Sequence, residues 1–282
     1  IRLEHTETSG KQTINTIETK RSYVQLFPNL SLTYKLNKLN TIGLSVSRRI
    51  DRPNYKQLNP FRYYLNENTY TVGNTDLKPQ ITNAFEINHT ITDKYNIKYS
   101  YSRTKDNILQ ILSPDPSLFN VVQQTDKNLA VLNFYSIDVS APFQISGWFK
   151  NFTNVLLSYG QFMGNLVNTD INTGLVSVQL NSTNTFNITS TLSAELTCNY
   201  NSRQRNGFLT SRSNGMIGLG VQKQLLNKMA NIKLNVSDVF LGGTILANTS
   251  NNGYTEDYVQ KYDSRQATLS LSYRFGKGTQ QT

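Results

Sequence analysis

Residues 267 to 275 read ATLSLSYRF and alternate without a break. Ala267, Leu269, Leu271, Tyr273 and Phe275 fall on one face, and Thr268, Ser270, Ser272 and Arg274 on the other. A period-two segment of roughly 9 to 11 residues offers one side to hydrocarbon and the other to water, which is what a strand of a transmembrane β-barrel requires. The same grammar recurs along the chain. Tyr95, Ile97, Tyr99 and Tyr101 oppose Asn96, Lys98, Ser100 and Ser102; Leu30, Leu32, Tyr34 and Leu36 oppose Ser31, Thr33 and Lys35; Ile232, Leu234 and Val236 oppose Asn231, Lys233 and Asn235.

Composition removes the helical route across a membrane. Only 37% of the residues are hydrophobic, mean hydropathy is -0.45, and no run approaches the roughly 18 to 20 apolar residues of a spanning helix. Barrel strands escape such a scan because every second residue is polar. Aromatics still reach 11%, with 16 Tyr and 13 Phe against one Trp. With one Cys (Cys198) and two His (His5 and His89), an internal disulfide is impossible and most metal and thiol chemistry is excluded, so no cofactor is expected. The net charge of +10 is spread over strands and loops rather than gathered in a tract. It fits a basic lumen and basic loops beside anionic lipid better than nucleic-acid binding.

Alternation and turn residues together predict about a dozen strands, over residues 1–8, 22–36, 41–51, 80–91, 95–112, 119–140, 149–162, 174–187, 191–203, 209–225, 231–241 and 258–275, with no helix. Short connections fall at Asn37–Asn40, Thr92–Lys94, Ala141–Trp148, Ile188–Ser190 and Leu226–Ala230, the third holding Pro142. Long polar ones fall near 9–21, 52–79, 113–118, 163–173, 204–208 and 242–257. Short periplasmic turns and long extracellular loops are the habit of outer-membrane barrels, and by that rule the C-terminus is periplasmic. A soluble β-sandwich also alternates, but it gives no reason for connection lengths to alternate so regularly.

SRRIDRP at 47–53, LNPF at 58–61, GNTDLKPQITNAFE at 73–86, VSDVF at 236–240 and the ending LSLSYRFGKG resemble the barrel of TonB-dependent outer-membrane receptors, specifically the outer-membrane β-barrel family common in Bacteroidetes. Gln80 stands where glutamate is usual. The resemblance implies a barrel of about 22 strands filled by a plug that contacts TonB. Residues 1–282 are therefore expected to be a partial barrel domain, the C-terminal half, with the plug and the N-terminal strands absent. A closed barrel of about twelve strands is the alternative allowed by the even count. The chain opens inside a strand (IRLEH), so a signal peptide and more protein are expected ahead of Ile1.

The longest loop carries Arg52, Tyr55, Phe61, Arg62, Tyr63, Tyr64 and Tyr70. Exposed Tyr and Arg supply contact area, hydrogen bonds and cation–π contacts, so these are the candidate ligand-binding residues; the alternative is that the same side chains fold the loop onto itself or the barrel rim. Gly73 and Asn74 predict a tight turn at positive φ. Lys35, Lys98, Lys233 and Arg274 are expected to face the lumen. His89 and Cys198 fall on apolar faces, and His5 has no clear nucleophile or carboxylate pairing in sequence, so no catalytic residue is assigned.

The resemblance implies a non-enzymatic outer-membrane receptor of the TonB-dependent type, capturing a ligand with extracellular loops for energy-coupled uptake. The alternative is a non-transporting barrel that serves as a structural or assembly component of an outer-membrane complex. Expected partners are outer-membrane lipid and lipopolysaccharide, TonB through the absent plug, and surface lipoproteins or other subunits of such a complex.

Overall fold

The computed structural model describes residues 1–11, 18–115, 117–166, 169–251 and 254–275. Pro116, the GKGTQQT tail and parts of the predicted loops 9–21, 163–173 and 242–257 lie outside the described residues. In chain order the elements are β1 (Arg2–Lys11), β2 (Glu18–Phe27), β3 (Asn29–Asn37), β4 (Asn40–Asp51), α1 (Tyr55–Leu58), β5 (Tyr63–Asn66), β6 (Thr69–Thr71) and β7 (Gln80–Ile91). There follow β8 (Tyr95–Pro114), β9 (Val122–Ser146), β10 (Phe149–Leu166), β11 (Thr169–Asn187), β12 (Leu192–Asn201), β13 (Gln204–Asn206) and β14 (Leu209–Ser211). The last are β15 (Asn214–Leu225), β16 (Ala230–Ser237), β17 (Ile245–Asn251), β18 (Tyr254–Gln260) and β19 (Gln266–Tyr273).

One antiparallel path runs β19-β16-β15-β12-β11-β10-β9-β8-β7-β4-β3 and does not close on itself among the described residues. It is an all-β transmembrane barrel wall, open at β3 and β19. Its register lines up residues of one kind across many strands. Leu30, Val46, Phe85, Tyr101, Tyr135, Tyr159 and Val176 form one apolar row. On the opposite face Ser45, Glu86, Ser100, Ser136, Ser158 and Ser177 form a polar row. The apolar face stays exposed, as Leu30, Leu32, Val46, Tyr135, Leu219, Leu234, Leu269 and Leu271 show. That exposure would be untenable in water at this extent, and in a bilayer it is the stable arrangement.

Aromatic side chains bound the apolar band. Toward the long connections, the Tyr101 and Tyr135 rings lie 4.8 Å apart and those of Tyr135 and Tyr159 6.3 Å apart. Toward the short turns, Tyr95 meets Phe143 at 6.1 Å and Phe149 meets Phe186 at 5.1 Å. From Tyr159 to Phe149 along β10 is about 33 Å at ~3.3 Å per residue, or ~25 Å once the strand tilt is included, the height of an outer-membrane apolar band. The long-connection end is the extracellular one by the usual asymmetry of such barrels.

Several expectations are corrected. The predicted strand 22–36 is two strands, because Pro28 has no N–H for a ladder: β2 pairs with β1, and β3 pairs with β4. Strand 258–275 also divides, β18 pairing with β17 and β19 with β16. Strand 209–225 divides likewise, β14 leaving the wall for the four-stranded sheet β13-β14-β17-β18. Pro142 is not in a turn. It lies in β9 opposite Phe152, beyond the last β9 residue that β8 pairs, so no bond is lost on that side and the turn contracts to Gly147–Trp148. One helical turn, α1, does form. Asn54 accepts from the Gln57 N–H and the Gln57 side chain accepts from the Asn54 N–H, a reciprocal cap that holds four residues in helix.

Candidate functional site

The loop between β4 and β7 is a folded structure rooted on the extracellular ends of β8 and β9. After α1, the β5–β6 hairpin lays β6 parallel to the start of β9. This carries Tyr70 into the interior, where it is 1% exposed. Its hydroxyl donates to Asp115 Oδ2 and lies 3.3 Å from Gln123 Oε1. Asp115 also accepts from the backbone N–H groups of Ser117 (2.6 Å) and Leu118 (3.0 Å). The Arg62 guanidinium covers the Tyr70 ring at 4.6 Å and reaches Asp115 at 3.6 Å. Burial, then the bond to Asp115, pushes the Tyr70 phenol up to about 12. The Tyr70 hydroxyl, followed by the Ser117 N–H, holds the Asp115 carboxyl below its ordinary value.

The GNTDLKP segment closes this loop. Gly73 needs no positive φ, contrary to the expectation. Its role is close approach, since a Cβ there would lie 2.4 Å from the Asn59 carbonyl oxygen. The Gly73 N–H donates to Asn59 O at 2.8 Å and the Asn74 N–H to Gln57 O at 2.6 Å. Leu77 is fully buried. The Lys78 backbone is held from both sides by Asn128, whose Oδ1 accepts at 2.7 Å and whose Nδ2 donates at 2.9 Å.

The candidate ligand residues divide into three groups. Tyr55 and Tyr63, 79% and 68% exposed, project outward with Phe61 and Tyr64. Tyr70 and Arg62 belong to the internal knot. Arg52 binds the β1–β2 hairpin instead: it reaches Glu4 Oε2 at 2.6 Å, Thr6 Oγ1 at 3.1 Å and Tyr23 Oη at 3.2 Å. Of the wall charges, Lys233 pairs with Glu195 at 3.6 Å. Lys98 is in register with Asp138, which accepts from Asn154 at 3.0 Å. Lys35 lies in register with Thr41, and the Arg274 N–H donates to Met229 O at 2.8 Å just past β19.

A second extracellular feature was not anticipated. A polar cavity of about 340 Å³ lies between the β10–β11 hairpin and the four-stranded sheet, and Thr173, Arg203, Arg205, Phe208, Thr210 and Asn248 line it. Arg205 is fixed there, its Nη1 on Thr173 Oγ1 and its Nε 3.2 Å from Thr210 Oγ1. The sequence signal was the two-residue spacing of Arg203 and Arg205, which puts both guanidinium groups on one side of an extended chain. Phe208 adds an apolar surface beside these donors.

A third element is a knot at VSDVF. Asp238, 2% exposed, accepts from Gly242 N–H (2.7 Å), Gly243 N–H (2.9 Å) and Ser264 Oγ (2.5 Å). The Ser264 hydroxyl first, and then these N–H groups, holds its carboxyl below the ordinary value against the opposing effect of burial.

The chain resembles the siderophore receptor PirA from Pseudomonas aeruginosa with a TM-score of 0.59 at 15% identity, over 91% of this chain and 44% of that one. The FrpB iron transporter from Neisseria meningitidis gives 0.58 at 12% identity, over 92% and 39%. The siderophore receptor PirA from Acinetobacter baumannii gives 0.53 at 19% identity, over 90% and 41%. This chain thus spans less than half the length of each, and the likeness is one of fold. A search of curated proteins found no match. The outer membrane protein beta-barrel family matches residues 1–273. The chain accordingly sits in the outer membrane as part of a β-barrel wall, and it belongs to the outer membrane protein beta-barrel family.

Proposed function

We propose that this chain is the C-terminal barrel portion of an outer-membrane receptor of the TonB-dependent type, which captures an anionic ligand at its extracellular end for energy-coupled uptake. One observation carries the ligand chemistry: Arg203 and Arg205 line a cavity of about 340 Å³ whose other polar groups are hydroxyls and amides, and Arg205 is already oriented by Thr173 and Thr210. A preoriented guanidinium offers paired N–H donors to an oxyanion at reduced entropic cost. The outward Tyr55, Phe61, Tyr63 and Tyr64 add aromatic contact area on the same end of the barrel.

The similar structures include siderophore receptors and an iron transporter, and an anionic iron chelate suits the arginine pair. Binding energy alone drives no uphill transport, so the plug and TonB contact implied by the family resemblance supply the coupling. No enzymatic step enters this reading. The test is uptake of radiolabelled ferric siderophores by cells expressing the full-length gene. Uptake that requires TonB and falls roughly tenfold or more when Arg203→Ala and Arg205→Ala remove two charge-assisted contacts supports the reading. A correctly inserted protein that neither binds nor imports any anionic chelate would overturn it in favour of a structural or assembly barrel.

A further inference from the structure

We infer that the outward face of β7–β11 holds one phosphorylated lipid of the outer leaflet, with an acyl chain in a groove between tyrosines and a phosphate on Arg103 and Lys105. The groove encloses about 440 Å³ and is lined by Phe85, Tyr101, Tyr135, Leu157, Tyr159 and Val176, all side chains of the lipid-facing apolar surface. Its volume suits a stretch of hydrocarbon chain; Ser100, Ser136 and Ser158 also border it, but they belong to the polar row of the opposite face.

Charge decides what kind of lipid occupies it. Arg103 is two residues beyond Tyr101 on the same face, in register with Asn83 and Asn133, and Lys105 is two residues further, in register with Ile81. Both are exposed. Each two-residue step is about 6.6 Å along a strand, so with the strand tilt the two cations stand roughly 5 to 10 Å above the tyrosine row, the depth of a headgroup layer. Exposed at that height, Arg103 and Lys105 are within reach of a headgroup phosphate. Arg48 lies in the same row and is engaged with Gln25 at 3.1 Å. Asp106 follows on the bulge of β8, so with Arg48 included the patch remains net positive.

The groove is kept open by a glycine. Gly174 sits beneath the Tyr159 ring, and a Cβ there would come within 2.4 Å of the phenolic oxygen. Tyr159 therefore lies flat across β11 at the groove's edge. The inference is independent of the ligand-capture reading, since its site faces lipid and the arginine cavity faces the extracellular space.

The experiment is native mass spectrometry of the purified full-length protein, stripped of lipid and offered bis-phosphorylated lipid A, the same lipid dephosphorylated, or inorganic phosphate. One lipid A per chain is expected. Dephosphorylation is expected to weaken its retention about tenfold or more, and so is the pair Arg103→Gln and Lys105→Gln. Val176→Trp, which fills the groove, is expected to lower retention without touching the cations. Equal retention of phosphorylated and dephosphorylated lipid, or of lipid A by wild type and the charge variant, would overturn the headgroup assignment. Displacement of lipid A by inorganic phosphate, or full retention after Val176→Trp, would overturn the acyl groove. The dephosphorylation arm uses the unaltered protein, so it holds whatever the variants do to folding.

Discussion

The side-chain amide of Gln80 donates to Asp51 Oδ2 at 3.0 Å, while its carbonyl oxygen accepts from Asn107 Nδ2 at 3.1 Å and the Ile108 N–H at 3.0 Å. One residue thus ties the ends of β4 and β7 to the bulge in β8. The glutamate usual here in the family that this sequence resembles would set a carboxylate against that of Asp51. Gln80→Glu is expected to cost about 1 kcal/mol, and adding Asp51→Asn, which supplies a donor again, is expected to recover most of it. Thermal unfolding of the four proteins of this cycle, followed by heat-modifiable gel migration, measures the coupling; additive effects would refute it.

The Tyr70–Asp115 knot sets a pH window for the extracellular loop. The Asp115 carboxyl is depressed in the folded state, so its contribution is present above the ordinary carboxylate value and is lost as pH falls through the folded one. The Tyr70 phenol is raised to about 12, so its contribution is complete below the ordinary tyrosine value of about 10 and is lost as pH climbs toward about 12. Amide exchange at Ser117 and Leu118 is expected to accelerate at both extremes. The phenolate difference spectrum between wild type and Tyr70→Phe should show a group that ionises well above the other tyrosines.

Close backbone approach makes two glycines irreplaceable for a steric reason. At Gly73 a Cβ would meet Asn59 O at 2.4 Å, and at Gly242 it would meet Gly215 O at 1.8 Å, whereas Gly147 has nothing within 4 Å. Gly73→Ala and Gly242→Ala are each expected to loosen their loops by roughly 1–3 kcal/mol, and Gly147→Ala to change little. Limited proteolysis of intact cells reads the difference at the extracellular loops; equal cleavage of the Gly73 and Gly147 variants would count against the packing argument.

Asp238 joins the connection after β16 to the segment before β19 through three accepted bonds. Asp238→Ala leaves the Gly242 and Gly243 N–H groups without their acceptor, and their exchange protection is expected to fall while that of the β16–β19 ladder persists. Asp238→Glu is expected to rescue little, because the longer side chain displaces the carboxylate from both N–H groups. Unchanged protection at Gly242 and Gly243 in the alanine variant would show that the knot is held by other contacts.

The wall was legible in the sequence because each strand reports its own two faces. The alternation of residues 267–275 becomes β19 paired with β16, and that of 95–102 becomes the lower part of β8. The loops were less legible. Tyr70 and Tyr63 are the same residue type seven positions apart in one loop, and one is buried while the other is among the most exposed. Nothing local separates them. Tyr70 is buried because β6 happens to run beside β9 and bring it against Asp115, 45 residues away. The same holds for the arginine cavity, assembled from Thr173, Arg205 and Asn248, which no short motif connects.

Alternation, turn residues and connection lengths are properties of neighbouring residues, so the chain alone predicts barrel strands, the two faces of each, and which end carries the long connections. Burial, ion pairing and cavities depend on residues brought together across tens of positions. Only the tertiary structure therefore shows that Pro28 parts two sheets, that Gln80 closes a bulge, that Arg52 is committed to Glu4, and that Arg203 and Arg205 share a cavity.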